Sequence, residues 1–244
     1  MSNYEYCTDI LESLKLKGMK DALDQTAGKE GLSHLDFLKE LLNSEISHRT
    51  ERRMKRNMVG AHFPIVKELE SFDFSSIKGI TELQMKNLMD FRWIDKHENL
   101  LFFGPPGLGK THLAIAFGFK AIQDGYTVCF ERISSLIKLL KTMDIRRSST
   151  FRINRIMKAS VLIIDEIGYT PIDRKEANLF FSLVSELYER TSIIITSNKG
   201  FDQWAEMMGD EIMTTALLDR LLHHAHIFSL NGESYRILSK KKEE

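Results

Sequence analysis

The 244-residue chain lacks most features that would send it across or into a membrane. No apolar run approaches the ~20 residues needed to span a bilayer. The N-terminus has no basic segment followed by an apolar core, so no secretory signal is expected. Cysteine is scarce: Cys7 and Cys129 do not suggest a disulfide framework, and Cys129, in an apolar strand-like run, is expected to be a reduced, buried thiol. No sign of charge dominates, with 34 Lys and Arg against 34 Asp and Glu, so any nucleic-acid contact must come from local patches. There is no internal repeat or low-complexity tract. These absences make a cytoplasmic protein the expectation. With 43% hydrophobic residues, the chain is long enough for one sizeable α/β domain with a smaller appendage.

What is present centres on Leu100-Leu-Phe-Phe-Gly-Pro-Pro-Gly-Leu-Gly-Lys-Thr111. It reads as a buried strand, a glycine loop and the start of an apolar helix. Gly104, Gly109, Lys110 and Thr111 fill the G-x-x-x-x-G-K-[ST] template of a phosphate-binding loop. Glycines let the backbone curl so that successive N–H groups face one anion. The helix opening at Lys110 adds free amides and a positive dipole end. Gly104, Pro105, Pro106, Gly107, Leu108, Gly109, Lys110, Thr111 and His112 are therefore the expected nucleotide contacts. Lys110 is placed to reach the β- and γ-phosphates, and the Thr111 hydroxyl to bind Mg²⁺.

Residues 1–70 carry helical patterning and are expected to form a small N-terminal domain for oligomerisation, DNA or partner contact, with an ATPase domain over 71–244. Ile10, Leu11, Leu14 and Met19 predict one short amphipathic helix, closed by Gly28 and Gly31. Ser33 and Asp36 open a second, with the apolar stripe Leu35, Leu38, Leu42 and Ile46. Beyond residue 75, strands are predicted at 100–103, 126–130, 161–165, 192–196 and 226–230. Helices are predicted near 80–92, 110–123, 134–143, 151–158, 173–190 and 212–222. Continuous apolar strands such as Val161-Leu-Ile-Ile164 indicate a parallel sheet covered on both faces, which puts the loop at its carboxyl edge.

Three further stretches converge on that edge or its neighbourhood. The strand ending in Asp165-Glu166 offers a carboxylate for Mg²⁺ and a second to polarise an attacking water. Asn198 closes the next strand, as a hydrogen-bonding group for the γ-phosphate or the water, or as a turn former before Lys199-Gly200. Arg220 in Leu217-Leu-Asp-Arg-Leu-Leu-His-His-Ala225 is either a finger for a neighbour's site or an intrachain ion-pair partner. His223, His224 and His226 invite a metal reading, but no adjacent cysteine or carboxylate cluster completes a site, so none is expected.

Two basic segments could neutralise duplex phosphates without reading sequence. One continues the second helix and includes Arg52, Arg53 and Arg56; the other includes Lys138, Lys141, Arg146, Arg147, Arg152 and Arg155, interrupted by a loop at Ser148-Ser-Thr150. Either could instead be a solvated face.

These motifs occur in the order found in AAA+ ATPases. More narrowly, the chain resembles the IstB-like transposition helpers of insertion sequences, and beyond them the DnaC-like helicase loaders. The resemblance rests on Gly-Pro-Pro-Gly-Leu-Gly-Lys-Thr-His-Leu-Ala, Ile-Ile-Asp-Glu-Ile-Gly-Tyr, Ala-Asn-Leu-Phe-Phe, Leu-Leu-Asp-Arg-Leu-Leu-His-His-Ala and Gly-Glu-Ser-Tyr-Arg, with Phe72-Asp-Phe74 upstream. It implies a P-loop AAA+ core with a five-stranded parallel sheet of order 5-1-4-3-2. It also implies ATP and Mg²⁺ as cofactors, hydrolysis by Lys110, Glu166, Asn198 and Arg220, and metal holding by Thr111 and Asp165. The implied partners are duplex DNA, a cognate transposase and further copies of the chain, with ATP sites at subunit interfaces. Only 14 residues follow position 230, too few for the usual helical lid, which leaves Arg236 as a partial substitute for its arginine.

Overall fold

Ser2 caps the first helix: its hydroxyl accepts from the Glu5 amide while the Glu5 carboxylate accepts from the Ser2 amide. In the computed structural model, which describes residues 2–29, 31–169 and 171–235, the chain forms two compact units, Met1–Arg56 and Asn57–Glu244. The first holds α1 (Asn3–Ser13), α2 (Lys17–Ala27) and most of α3 (His34–Ala61). Where one helix was expected through Met19 there are two, because Lys15 turns into the left-handed region at φ 58°.

The apolar stripe of α3 is not the face it buries. Leu35, Leu38, Leu42 and Ile46 are exposed, and Leu41 and Glu45 face inward. Glu45 explains the choice. Leu16 gives α2 no side-chain cap, and the Glu45 carboxylate replaces it by accepting from the amides of Gly18 (2.7 Å) and Met19 (3.2 Å). Burial alone would raise this carboxyl, but Arg49 and the two amides outweigh it and hold it below its ordinary value. Gly18 is required here, since a Cβ would stand 2.6 Å from the Ser44 carbonyl oxygen.

The second unit runs β1 (Ile77–Lys78), α4 (Glu82–Asn87), α5 (Arg92–Asp95), β2 (Asn99–Phe103), α6 (Lys110–Gln123), β3 (Val128–Arg132), α7 (Ile133–Thr142) and α8 (Arg147–Ile156). It continues through β4 (Val161–Ile167), α9 (Arg174–Leu187), β5 (Ser192–Ser197), α10 (Trp204–Met208), α11 (Glu211–Leu222), β6 (Ala225–Ser229) and β7 (Asn231–Gly232). The sheet order is β3-β4-β5-β2-β6, parallel throughout, which is 5-1-4-3-2 when its five strands are numbered along the chain. Leu100, Leu101, Phe102 and Val161 to Ile164 are all fully buried, as strands covered on both faces require.

Two expectations are corrected. The helix foreseen over 80–92 is broken at Phe91 (φ 56°), whose ring is buried against Trp93 and Tyr126. Ser148-Ser-Thr150 is not a loop but the first turn of α8. Its hydroxyls are used locally: Thr150 Oγ1 donates to the carbonyl of Met143 (2.5 Å), and buried Ser149 bonds Thr142 Oγ1 (2.8 Å).

Candidate nucleotide site

The loop between β2 and α6 bends through Gly104, Gly107 and Gly109, at φ 138°, 84° and 78°. Gly107 and Gly109 have no room for a side chain: a Cβ would lie 2.1 Å from Ser234 Oγ and 2.4 Å from the Phe72 ring. No side chain caps α6, so its first amides face the loop's concavity. Lys110 is buried, and its ammonium lies across the loop on the carbonyls of Gly104 (2.6 Å) and Pro105 (2.7 Å).

Thr111 begins a chain of oxygens along the carboxyl edge. Its hydroxyl donates to Asp165 Oδ1 at 2.8 Å, and Thr196 Oγ1 donates to the same oxygen at 2.6 Å. Thr196 in turn accepts from the amide of Glu166 at 3.0 Å. One hydroxyl on β5 thus fixes both acids of β4. Asp165 is buried, whereas the Glu166 side chain is partly exposed. A register shift between Ile164 and Ile167 and a φ of 66° at Glu166 mark a bulge in β4 at that residue. A non-glycine residue held there costs on the order of 1 kcal/mol or more, a strain typical of functional sites. The hydroxyl and carboxylate of Thr111 and Asp165 form the oxygen donor pair that a hard divalent cation prefers.

Glu166 has a cationic neighbour. Its carboxylate is paired with Arg132 Nε at 3.3 Å, and Arg132 is both the last residue of β3 and the N-cap of α7. Asn198 lies beside this pair's strand, and its Oδ1 is buried with no hydrogen-bond partner among the described residues. Gly168 makes space for it, since a Cβ there would stand 2.4 Å from that oxygen.

Segments distant in sequence also reach the loop. His112 Nε2 lies 2.8 Å from the Glu68 carbonyl oxygen, and the Phe72 ring meets His112 edge-on. Burial, more than the cation of nearby Lys67, pushes His112 below its ordinary 6.5, against the hydrogen bond to Glu68. Tyr235 donates its amide to the Gly107 carbonyl at 3.0 Å. Arg132, Thr196, Phe72, Ser234 and Tyr235 were not foreseen at the site. Only Thr196, two residues from the polar strand end at Asn198 already singled out, had a local signal. Arg236 lies outside the described residues.

Arg220 is at the other edge of the sheet. It shares a small cavity with Asn99, Ile193 and His224, at the amino ends of β2, β5 and β6. A five-residue strand, about 17 Å long, separates that end from the phosphate loop. Its guanidinium donates to the Ala216 carbonyl (2.8 Å) and lies over the Phe181 ring (4.9 Å), with no carboxylate partner among the described residues. Buried Asn99 ties this end together: Nδ2 donates to the Leu221 carbonyl (2.9 Å) and Oδ1 accepts from the Ile193 amide (2.8 Å).

The basic segments divide. Arg52, Arg53, Arg56, Lys138, Arg146 and Arg147 are exposed. Lys141 is paired with Glu176 at 2.9 Å. Arg152 corrects the expectation of a DNA contact: it is buried, with Nε on Glu131 Oε1 (2.6 Å) and its other nitrogens on the carbonyls of Gly60 (2.6 Å), Ala61 (3.3 Å) and Phe130 (2.9 Å). Its Nη1 also donates to Cys129 Sγ (3.7 Å), so none of the five N–H groups is left to present to a phosphate. Arg155 is half-buried beside it, and a Cβ on Gly60 would collide with its guanidinium. Among the described residues no helix is long and apolar enough to cross a membrane.

The family described as IstB-like ATP binding protein matches residues 9–243. An insertion sequence IS21 ATP-binding protein of Pseudomonas aeruginosa is 42% identical over 236 residues, covering 96% of this chain and 89% of its own. An insertion sequence IS5376 ATP-binding protein of Geobacillus stearothermophilus is 38% identical, covering 99% and 96%. Among solved structures, DnaI matches with a TM-score of 0.58 at 18% identity over 68% of this chain and 91% of its own. The DnaC helicase loader matches with a TM-score of 0.53 at 22% identity, over 62% and 88%. The fold is that of the AAA+ P-loop proteins.

Proposed function

Since the chain belongs to the IstB-like ATP-binding family, we propose that it is a Mg²⁺-dependent ATPase that assembles on duplex DNA and delivers or activates a transposase. The observation that carries this reading is the Thr111–Asp165–Thr196–Glu166 chain along the edge next to the phosphate loop. Gly104 to Gly109 and the start of α6 cradle the phosphates, and Lys110 shifts from loop carbonyls to the β- and γ-oxygens. Thr111 and Asp165 would hold Mg²⁺, which when bound supplies charge neutralisation at those oxygens. Glu166 orients the attacking water and accepts its proton, and Asn198 hydrogen-bonds the water or the γ-phosphate through its amide.

Arg220 cannot serve the phosphates of its own chain from the far edge of the sheet. In the proposed assembly it enters a neighbour's site and stabilises charge on the transferring phosphoryl group. Each site is then completed by a second copy. The N-terminal unit, expected to span residues 1–70, contributes oligomer, DNA or partner contacts, and the exposed stripe from Leu35 to Ile46 supports a partner there. Exposed Lys138, Arg146 and Arg147, with Arg52, Arg53 and Arg56, are the proposed phosphate contacts.

Arg132 links the two activities. It holds Glu166 and begins the α7–α8 segment that bears the second basic patch, so DNA bound there can draw Arg132 off and free the glutamate. The transposase enters through the relatives, whose names place them in insertion sequences. A second reading, a helicase loader, is favoured by the likeness to DnaC and DnaI.

The deciding experiment measures ATP turnover with duplex and with single-stranded DNA, in the parent chain and in Glu166→Gln. Duplex stimulation, lost in a variant that still binds ATP, is expected. Stimulation by single strands alone would favour the loader, and full turnover in Glu166→Gln would remove the hydrolytic assignment.

A further inference from the structure

The junction between α11 and β6 carries His223, His224 and His226, with no carboxylate beside them in sequence. The fold supplies one from elsewhere. Glu189, in the turn after α9, meets His223 and His224, and one ligand atom from each of the three lies within 4.8 Å of the others. Glu189 Oε1 is 4.0 Å from His223 Nδ1, and the Tyr188 hydroxyl, 2.7 Å from that nitrogen, holds its place and turns aside when an ion takes it. The two imidazole centroids are 4.0 Å apart. Glu189 adopts φ 56°, a conformation that L residues other than Asn or Asp seldom take. His226 turns elsewhere and bonds Glu98 at 2.8 Å. A cavity of about 10 Å³, room for about one water, adjoins the cluster and is lined by Glu189, His224, His97 and Arg220.

We propose that Glu189, His223 and His224 bind one divalent transition-metal ion of the zinc class. Two imidazoles and a carboxylate, open to solvent on one side, suit Zn²⁺, Co²⁺ or Ni²⁺, whereas Mg²⁺ takes an all-oxygen shell. Donors bound to zinc at about 2.0–2.2 Å stand roughly 3.3 Å apart, so these side chains need to close by up to about 1.5 Å. All three are exposed and can rotate that far. The ion ties the end of α9 to the end of α11. It uses none of the phosphate-loop residues, so it stands whether or not the chain hydrolyses ATP.

Cobalt supplies the test, because its visible ligand-field bands are strong in a four- or five-coordinate nitrogen-containing site and weak in the octahedral all-oxygen sites that suit Mg²⁺. The untagged full chain is titrated with Co²⁺ in Mg²⁺ buffer without nucleotide. Visible bands saturating at one ion per chain, and erased by added Zn²⁺, are expected. Glu189→Gln, His223→Gln and His224→Gln should each weaken binding by about tenfold or more, while His226→Gln titrates as the parent. The variants change exposed groups, and an unchanged melting curve confirms that they fold. Absent bands, or bands indifferent to all three substitutions, would overturn the proposal.

Discussion

Replacing Arg152 by methionine keeps the stem that fills the space between α8 and β3 but removes the guanidinium. Four partners lose their donor at once: Glu131 and the carbonyls of Gly60, Ala61 and Phe130. Glu131 is the costly one, since it stays buried with its charge uncompensated. Breaking a buried pair from one side costs about 3–5 kcal/mol. For a unit of this size that corresponds to a melting temperature lower by roughly 6–20 °C. The chain's two tryptophans, Trp93 and Trp204, are both buried in the second unit, so urea unfolding followed by tryptophan fluorescence reads this unit directly. Arg152→Met with Glu131→Leu removes both charges and should recover a large part of the loss. Below the melting range, Arg152→Met should bind DNA with the parent's salt dependence. A loss under about 1 kcal/mol, together with a salt slope shallower by about 1, would refute the buried role and return Arg152 to the phosphate contacts.

Three other outcomes follow from the geometry. Arg132→Ala should raise DNA-free ATP turnover by at most about fivefold, because a half-exposed ion pair such as Arg132–Glu166 is worth no more than about 1 kcal/mol; a fall in basal turnover would mean that Arg132 supports Glu166 rather than restraining it. Arg220→Ala should be inactive alone and regain turnover when mixed with Glu166→Gln, whose arginine is intact; failure of the mixture would place Arg220 outside the neighbour's site. His112 has its value depressed in the fold, so its share of stability is present above the ordinary 6.5 and is lost as pH falls through the lowered folded value; acid unfolding curves of the parent and His112→Gln should therefore converge toward low pH, and a constant offset would count against it.

The phosphate loop, both acids and Asn198 were legible because each is a contiguous polar ending on an apolar strand, and parallel strands deliver such endings to one edge. Arg152 was not read as buried because it lies in a run of cations. Yet helical spacing puts it with Ser149, Ile153 and Ile156, all of them buried, so the signal was there and the charge masked it. On α3 the reverse occurred. Leu35 to Ile46 form a regular apolar stripe, but α2 needed an acceptor for its first amides, and Glu45 on another face could supply one. The partnership of Glu189 with His223 and His224 spans 34 residues of sequence, and no periodicity connects them.

Asn99 ties β5 to the far end of the sheet. One end of the strand is clamped through Asn99 to the helix that bears Arg220, and the other carries the Thr196 hydroxyl that steers Asp165 and Glu166. The six-residue strand is about 20 Å long and stiff along its axis, hydrogen-bonded to β2 on one side and β4 on the other. The end of the sheet that holds Arg220 and the end that holds the two acids are thus joined by one element, so a substitution at Asn99 should disturb both.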